Sequence, residues 1–447
     1  MSNPSASIDT ARQLRNLHTL LEVSKAMARE VRLDNLLQVI MEKTTEVMEA
    51  DRSSLFLYDE SRNELWSKIA QGLELKEIRF PVGVGIAGDV AKTCKMANIP
   101  EAQQDPRFNP DFDKQTNYHT CSVLCLPLLN TAGKLVGVIQ SLNKKNGGVF
   151  DEEDESLLEA LAAHAVVALE RARLTEAYVE KQRMEEALKL AHEIQMSILP
   201  KIFPPFPQRC EFDLYATIEP AREVGGDFYD FFLTEDDQLC FAIGDVSGKG
   251  VPASLFMAVT KTLLRVIATR VRRPEAVLAE LNNELYRDNE TGMFVTIFYG
   301  VLNIRTGAVE YSNGGHNPPY VLSSRGAVVP VDNTGGMALG VLANVSYRAK
   351  RIQLRAGENL FLYTDGLTEA LDRAGNLFSE RRLQECLQGV KGVTPAELIR
   401  GAVRVVKQFA AGAEQSDDIA ALAIQYRLSW LSEGDGTAAV HPSTSSG

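Results

Sequence analysis

From Asp151 to Leu199 the chain contains neither Gly nor Pro, and Glu, Ala, Lys, Arg and Leu dominate the stretch. A backbone without its two strongest breakers, filled with good helix formers, predicts one long helix. That helix divides the chain into two parts, each of which must fold around a core of its own. Its apolar residues form two stripes: Leu161, Ala165, Ala168 and Ala172, then Ala177, Met184, Ala191 and Ile198 at intervals of seven, joined by Leu188. The stripes are offset, so they do not share one heptad frame. A helix this long finds little to bury against in a monomer, which predicts a parallel coiled coil over 151–199 and a homodimer. Pro200, Pro204, Pro205 and Pro207 end it.

Ahead of this helix, residues 1–32 carry a helical segment with a narrow stripe of Leu14, Leu17, Leu21, Ser24 and Ala28, suited to pairing with another helix. Asp34 is placed to cap a second helix running to about Ala50. Strands follow at 53–59 and 64–70, a Gly-rich run at 82–90 opens a short helix, and a loop rich in Asp, Pro and Asn spans 100–118. Two more strands, 122–130 and 135–143, are joined by the hairpin signal TAGK. This is an α/β domain of sensor size, over 33–172. Beyond the prolines, strands such as QLCFAIGDV, MFVTIFYGVLN and NLFLYTDG mix with helices at 253–270, 274–287 and 394–410. That mixture predicts α+β layers over 205–427 rather than a doubly wound sheet. The segment 428–447 is small and polar, which predicts disorder.

With 45% apolar and 24% charged residues in 447, there is ordinary globular material for two cores. A net charge of −12 argues against a nucleic-acid partner, which calls for a basic stripe. No run of 18 apolar residues occurs, and MSNPSASIDTAR lacks an apolar signal core, so neither a membrane span nor secretion is expected, and the expected location is the cytoplasm. Cys121 and Cys125 have a C-x₃-C spacing, but no second pair completes a zinc site; their alternating apolar setting predicts that one or both are buried strand thiols.

Chemistry concentrates in four motifs of the C-terminal part. Asp227 lies in VGGDFYD, Asp245 in GDVSGKG, Asp365 in YTDGLTEA and Asp417 in SDDIAAL. Each sits where an apolar strand meets a turn, with Gly225 and Gly226 giving the backbone room beside Asp227. One such Asp is ordinarily a turn former. Four together, with no ligating His or Cys beside them, form the all-oxygen donor set of hard divalent ions, Mn²⁺ or Mg²⁺. Two ions in such a cluster activate water for phosphate-ester hydrolysis. The Val246 carbonyl is a further oxygen donor. Arg222, five residues before Asp227, is a candidate phosphate clamp. His316 in GGHNPP is read as a structural turn residue rather than a general acid.

The set PAREVGGDFYDFF, GDVSGKGVPASLFMA, MFVTIFYGVLN, GGHNPPYV, GGMALGV, LYTDGLTEA and SDDIAALAI resembles the PPM-type serine phosphatases of bacterial signalling. It is nearest to their sporulation and sigma-regulating branch. The resemblance covers 196–426 and includes the segment HEIQMSILP. It implies a β-sandwich flanked by helices and two metal ions. Asp245 would bridge both, Asp227 hold one, and Asp365 and Asp417 the other, with Val246 ligating through its carbonyl. Asp230 and Asp418 would orient bound waters. The implied substrate is phosphoserine or phosphothreonine on an anti-sigma-factor antagonist.

Asn143, Lys144, Phe150, Asp154 and Glu155 give an N-K…F-x₃-D-E pattern. With the surrounding segment it resembles the GAF domains of cyclic-nucleotide phosphodiesterases and cyclases. Lys144 and Asp154 are expected to pair and lock the last strand to the long helix. A ligand would sit under 84–120, near Asp89, Asp105 and Thr116. Three readings stay open for this domain: a cyclic-nucleotide site, a site for another small ligand, and a ligand-free dimerisation module. For the whole chain, a ligand-regulated metal-dependent phosphatase stands against a catalytically inactive scaffold that binds a signalling partner, and against a cyclase whose catalytic domain the phosphatase motifs displace.

Overall fold

The computed structural model describes residues 18–67, 78–116 and 118–427. The chain divides into two compact units, Met1–Met184 and Glu185–Gly447.

In the first unit, helix α1 (18–29) and α2 (Leu33–Val47) precede strands β1 (Ala50–Asp59), β2 (Glu64–Ser67) and β3 (Ile78–Pro81). Then come α3 (Gly85–Thr93), β4 (Ala97–Ile99), α4 (Pro110–Thr116), β5 (Val123–Leu129), β6 (Leu135–Lys144) and the start of α5 (Glu152–Ile198). The six strands form one antiparallel sheet in the order β3-β2-β1-β6-β5-β4. Alternation along each strand feeds two cores. Leu55, Leu57, Leu124, Leu126, Leu128 and Ile139 face α1, α2 and α5, whereas Phe56, Val123, Cys125 and Val138 face α3 and the loops. Cys125 is thus a buried strand thiol as its setting implied, and Cys121 is exposed.

Three expectations change here. In α1 it is Val23 and Met27 that are buried, while Leu21 is 52% exposed; the face offered to the sheet is rotated from the predicted stripe. Leu14 and Leu17 lie outside the described residues. No side chain caps α2: Arg32 is the N-cap residue, and Asp34 sits in the first turn, where it favours the helix dipole. The first stripe of α5 is not a dimer seam. Leu158, Leu161, Ala165, Leu169 and Ala172 are buried in the core that covers the sheet. Between Leu174 and Ile194 the helix presents most of its apolar residues to solvent, with Leu174 at 72% and Met184 at 58% exposure, and Met196 then packs on the core of the second unit.

The second unit continues with β7 (Phe212–Glu219), β8 (Phe228–Leu233), β9 (Gln238–Val246), α6 (Val251–Arg270), α7 (Pro274–Arg287), β10 (Val295–Asn303) and β11 (Ala308–Gly314). It ends with β12 (Tyr320–Leu322), β13 (Val328–Pro330), β14 (Ala349–Gln353), β15 (Asn359–Tyr363), α8 (Ser379–Leu387), α9 (Pro395–Phe409) and β16 (Ile419–Tyr426). Two antiparallel five-stranded sheets, β14-β11-β10-β9-β8 and β13-β12-β15-β16-β7, make a sandwich. Leu360, Leu362, Leu422 and Ile424 pack into the core with the first sheet; their neighbours Phe361, Tyr363, Ala421 and Ala423 pack on α8 and α9. With both faces buried, these strands read as continuous apolar runs.

Helix α6 is long and apolar enough, by length and composition alone, to cross a membrane. Here it is a core helix: Met257, Leu264 and Ile267 are buried against the sandwich.

Candidate active site

The strand ends carry the four aspartates to one side of the sandwich. Asp245 stands at the end of β9, opposite Thr296 of β10. Asp365 follows β15 after Thr364, and Asp417 precedes β16. Asp227 precedes β8 and is 2% exposed.

Their mutual charge shows that they share one site. Burial and the neighbouring Asp245, Asp418 and Asp365 drive the Asp227 carboxyl well above the ordinary range, against a lowering hydrogen bond from Thr364. Burial, then repulsion from Asp365, Asp417 and Asp418, pushes Asp245 up to about 7. Asp365 is raised by burial and by Glu369 and Asp417. Acids so placed titrate together and favour any cation that relieves them.

The loop before Asp227 is held by backbone contacts that only glycine permits. A Cβ on Gly225 would lie 2.0 Å from Asp418 Oδ2, and one on Gly226 would lie 2.7 Å from the Val246 carbonyl. The Val246 carbonyl thereby faces the segment that carries Asp227. Thr364, fully buried, donates to Asp227 Oδ2 at 2.6 Å and accepts from the Ala420 amide at 2.9 Å. It ties β15, β16 and Asp227 together, and the sequence reading missed it; its place directly before Asp365 was the available signal.

The two carboxylates assigned to bound water do other work. Asp418 accepts from the Ala221 and Gly226 amides at 2.8 Å each, so it clamps the 221–226 loop. Asp230 is 1% exposed and lies 3.2 Å from Lys261 Nζ and 3.6 Å from Arg265 Nε, both on α6. Strand alternation is the reason: three residues along from Asp227, it faces the opposite side of the sheet.

Arg222 is exposed. Among the described residues it forms no ion pair with the cluster. The cation that meets the cluster is Lys249 of GDVSGKG, whose Nζ is 3.0 Å from Asp417 Oδ2 and donates to the Ser416 carbonyl at 2.6 Å. His316 is buried, with Thr296 Oγ1 2.9 Å from Nδ1 and the Tyr363 carbonyl 3.1 Å from Nε2. Burial lowers its pKa to about 4, so it is a neutral structural residue.

Among the described residues, no three of these carboxylates close around a single point. These side chains are thus not already closed as a cage around an ion, and the case for Mg²⁺ or Mn²⁺ is the chemistry of the donors. The donor set is all oxygen and its carboxyls are raised by crowding, the state a pair of divalent ions relieves.

Residues 235–427 match the family described as stage II sporulation protein E, and residues 32–169 match the GAF domain. The chain carries a GAF domain followed by a domain of the stage II sporulation protein E type. Protein IcfG of Synechocystis sp. is 33% identical over 227 residues, covering 45% of this chain and 35% of that protein. A probable 3',5'-cyclic phosphodiesterase of Caenorhabditis elegans is 35% identical over 197 residues, covering 41% and 26%. The chain therefore spans about a third or less of these relatives' lengths. The solved SiaA-PP2C domain of Pseudomonas aeruginosa is 21% identical with a TM-score of 0.49, covering 55% of this chain and 98% of that one.

In the GAF domain, Lys144 Nζ lies 2.7 Å from Asp154 Oδ1 and donates to the Met48 carbonyl at 3.1 Å, joining β6, α5 and the end of α2. Two of the expected ligand contacts, Asp89 and Asp105, do come together, but on an arginine and not at a cavity. Asp89 and Asp105 both pair with Arg107, at 2.8 and 2.9 Å, because a guanidinium between two acids satisfies them locally. The Thr116 side chain lies outside the described residues. A cavity of about 130 Å³ instead opens among Phe56, Phe80, Phe108, Phe112, Tyr118 and Arg52. The Arg52 guanidinium stacks 4.1 Å from the Tyr118 ring centre. The Tyr118 hydroxyl is buried with no hydrogen-bond partner among the described residues, and burial raises its pKa to about 12.

Proposed function

We propose that this protein is a ligand-regulated, Mn²⁺- or Mg²⁺-dependent protein serine/threonine phosphatase that hydrolyses phosphoserine on a signalling protein such as an anti-sigma-factor antagonist. The observation that carries the reading is the crowding of Asp227, Asp245 and Asp365, whose carboxyls repel one another in a partly buried site. Asp227, Asp245, Asp365 and Asp417, with the Val246 carbonyl, would hold the ions. Bound ions supply the charge that acidifies the attacking water and draws electrons from the phosphate. Asp418 and Thr364 keep Asp227 in place. Lys249, placed beside Asp417 at the cluster, would offer its ammonium to a phosphate oxygen.

The sensor input is a small planar molecule. Aromatic walls and a stacked guanidinium favour a ring, and the cavity is close to the roughly 150 Å³ that admits a benzene-sized guest. A nucleobase is one such ring, in keeping with a relative whose name is that of a cyclic phosphodiesterase. The exposed apolar residues Leu174, Tyr178, Met184, Leu190 and Ile194 of α5 support a homodimer through that part of the helix.

The test is hydrolysis of a phosphoserine protein by the full chain with added Mn²⁺. Asp245→Asn keeps size and removes charge, and is expected to lower kcat by about a thousandfold or more. Activity unaffected by Asp245→Asn or by chelation would point to a contaminating enzyme, and a wild type that binds Mn²⁺ without turnover would favour the scaffold reading.

A further inference from the structure

The loop that delivers Asp227 is held from a third direction, by the last turns of α5. Gln195 is 4% exposed and its amide is spent entirely on one residue. Its Nε2 donates to the Gly225 carbonyl at 2.7 Å, and its Oε1 accepts from the Gly225 amide at 3.2 Å. One helical turn earlier, His192 Nδ1 lies 2.6 Å from the Glu223 carbonyl. A side-chain amide that satisfies both polar groups of one residue fixes that peptide in position and in rotation. No neighbouring strand does this, since Gly225 lies outside the sheets.

Gly225 is also the residue on which Asp418 closes. Asp418 binds the Gly226 amide at 2.8 Å, and no side chain larger than hydrogen fits between them. Gln195 on one side and Asp418 on the other therefore grip the two residues before Asp227. An unbranched amide is the one uncharged side chain with both a donor and an acceptor at this reach.

We propose that Gln195 is a positioning residue for the metal centre: it sets Asp227 for ion binding by holding Gly225 from α5. This rests on the two-ion phosphatase reading, and it adds the helix end to Thr364 and Asp418 among the elements that set Asp227 in place. The same helix begins at Glu152 in the GAF unit, so a change in its register has a defined place to act, the Gln195–Gly225 pair.

The test measures Mn²⁺ binding to the full chain by calorimetry and by the Mn²⁺-induced rise in Tm, so that it does not depend on turnover. Gln195→Met keeps length and loses both hydrogen bonds. It is expected to weaken Mn²⁺ binding about ten-fold, as partners behind metal ligands do. The Mn²⁺ concentration for half-maximal hydrolysis of p-nitrophenyl phosphate should rise in parallel, with KM for that substrate unchanged. Should Gln195→Met not fold, Gln195→Glu takes its place: it keeps the acceptor but sets a carboxylate against the Gly225 carbonyl, and the same loss is expected. Asp230→Ala, which loosens the same unit away from the site, is the control. Unchanged Mn²⁺ binding in the Gln195 variants overturns the proposal, as does an equal loss in Asp230→Ala. Absence of Mn²⁺ binding in the wild type, or binding indifferent to Asp245→Asn, overturns the two-ion reading itself.

Discussion

The acidic cluster of the second unit and the cavity of the first are built on opposite principles. The cluster is made of chemistry: oxygen donors at strand ends, each beside a glycine or a turn, so crowded that Asp227 and Asp245 are driven upward. The cavity is made of shape: five aromatic side chains from separate strands, helices and loops, with Arg52 and one unpartnered hydroxyl. Ion binding demands a few residue types that nothing else explains. A cavity asks only that ordinary apolar residues fail to meet, and no short motif records that.

The largest expected effect separates the acids that belong to the cluster from one that does not. Asp230 shares the motif of Asp227 but is buried against Lys261 and Arg265. Asp230→Ala strands the Lys261 ammonium, itself 4% exposed. Loss of one partner of a buried pair costs roughly 3–5 kcal/mol. Urea unfolding should show that cost while Mn²⁺ affinity, measured in the folded range, stays as in the wild type. A loss of Mn²⁺ affinity without loss of stability would return Asp230 to the metal site.

This division marks where the sequence was legible. The mixture of α and β layers followed from strand runs and helix periodicity, the sandwich only from the resemblance, and Asp227, Asp245, Asp365 and Asp417 stood out because their motifs have few structural uses. Asp230 was misassigned and the loop-clamping contacts of Asp418 went unseen because neither a strand's facing nor a loop's return is written in local spacing. Asp418 reaches the Gly226 amide across 192 positions of chain. Thr364 and Gln195 passed unnoticed for the same reason: a hydroxyl and an amide in ordinary places acquire their roles only from what folds against them. Asp89 and Asp105 failed as cavity residues because Arg107, two positions from Asp105, satisfies both.

A smaller effect tests the crowding itself. The Asp245 carboxyl, raised to about 7, binds its proton more tightly folded than unfolded. Its contribution to stability in the absence of metal is therefore full below about pH 4 and is lost as the pH rises through about 7. His316, lowered to about 4, acts with the opposite sign: its contribution is present above about 6.5 and is lost as the pH falls toward 4. Above pH 6.5 the histidine no longer titrates, and the slope belongs to the raised carboxyls of the cluster, Asp245 among them. Metal-stripped protein should go on losing Tm from pH 6.5 through about 7, with the Asp245 share below about 1.4 kcal/mol of stability per pH unit and fading toward pH 8. Saturating Mn²⁺ or Asp245→Asn should flatten the slope, and an Asp245→Asn profile parallel to the wild type would show that the carboxyls do not crowd.

The smallest effect belongs to the cavity, and its sign is what matters. Tyr118 keeps a buried hydroxyl without a partner, which costs roughly 1–3 kcal/mol of desolvation. A side chain kept only for packing gains from losing such a group. Tyr118→Phe preserves the ring under Arg52 and is expected to stabilise the ligand-free GAF unit by about 1 kcal/mol, read as a later first transition in urea. If the hydroxyl exists to meet a ligand, the same substitution weakens binding of that ligand several-fold; cGMP and cAMP, titrated into the full chain, are the first probes. Greater stability with unchanged or undetectable binding of both would leave the cavity to another planar molecule. Lower stability would mean that the hydroxyl is satisfied within the fold and that the cavity is a packing gap. The comparison would then narrow to one functional site in the acidic cluster and one structural gap in the sensor.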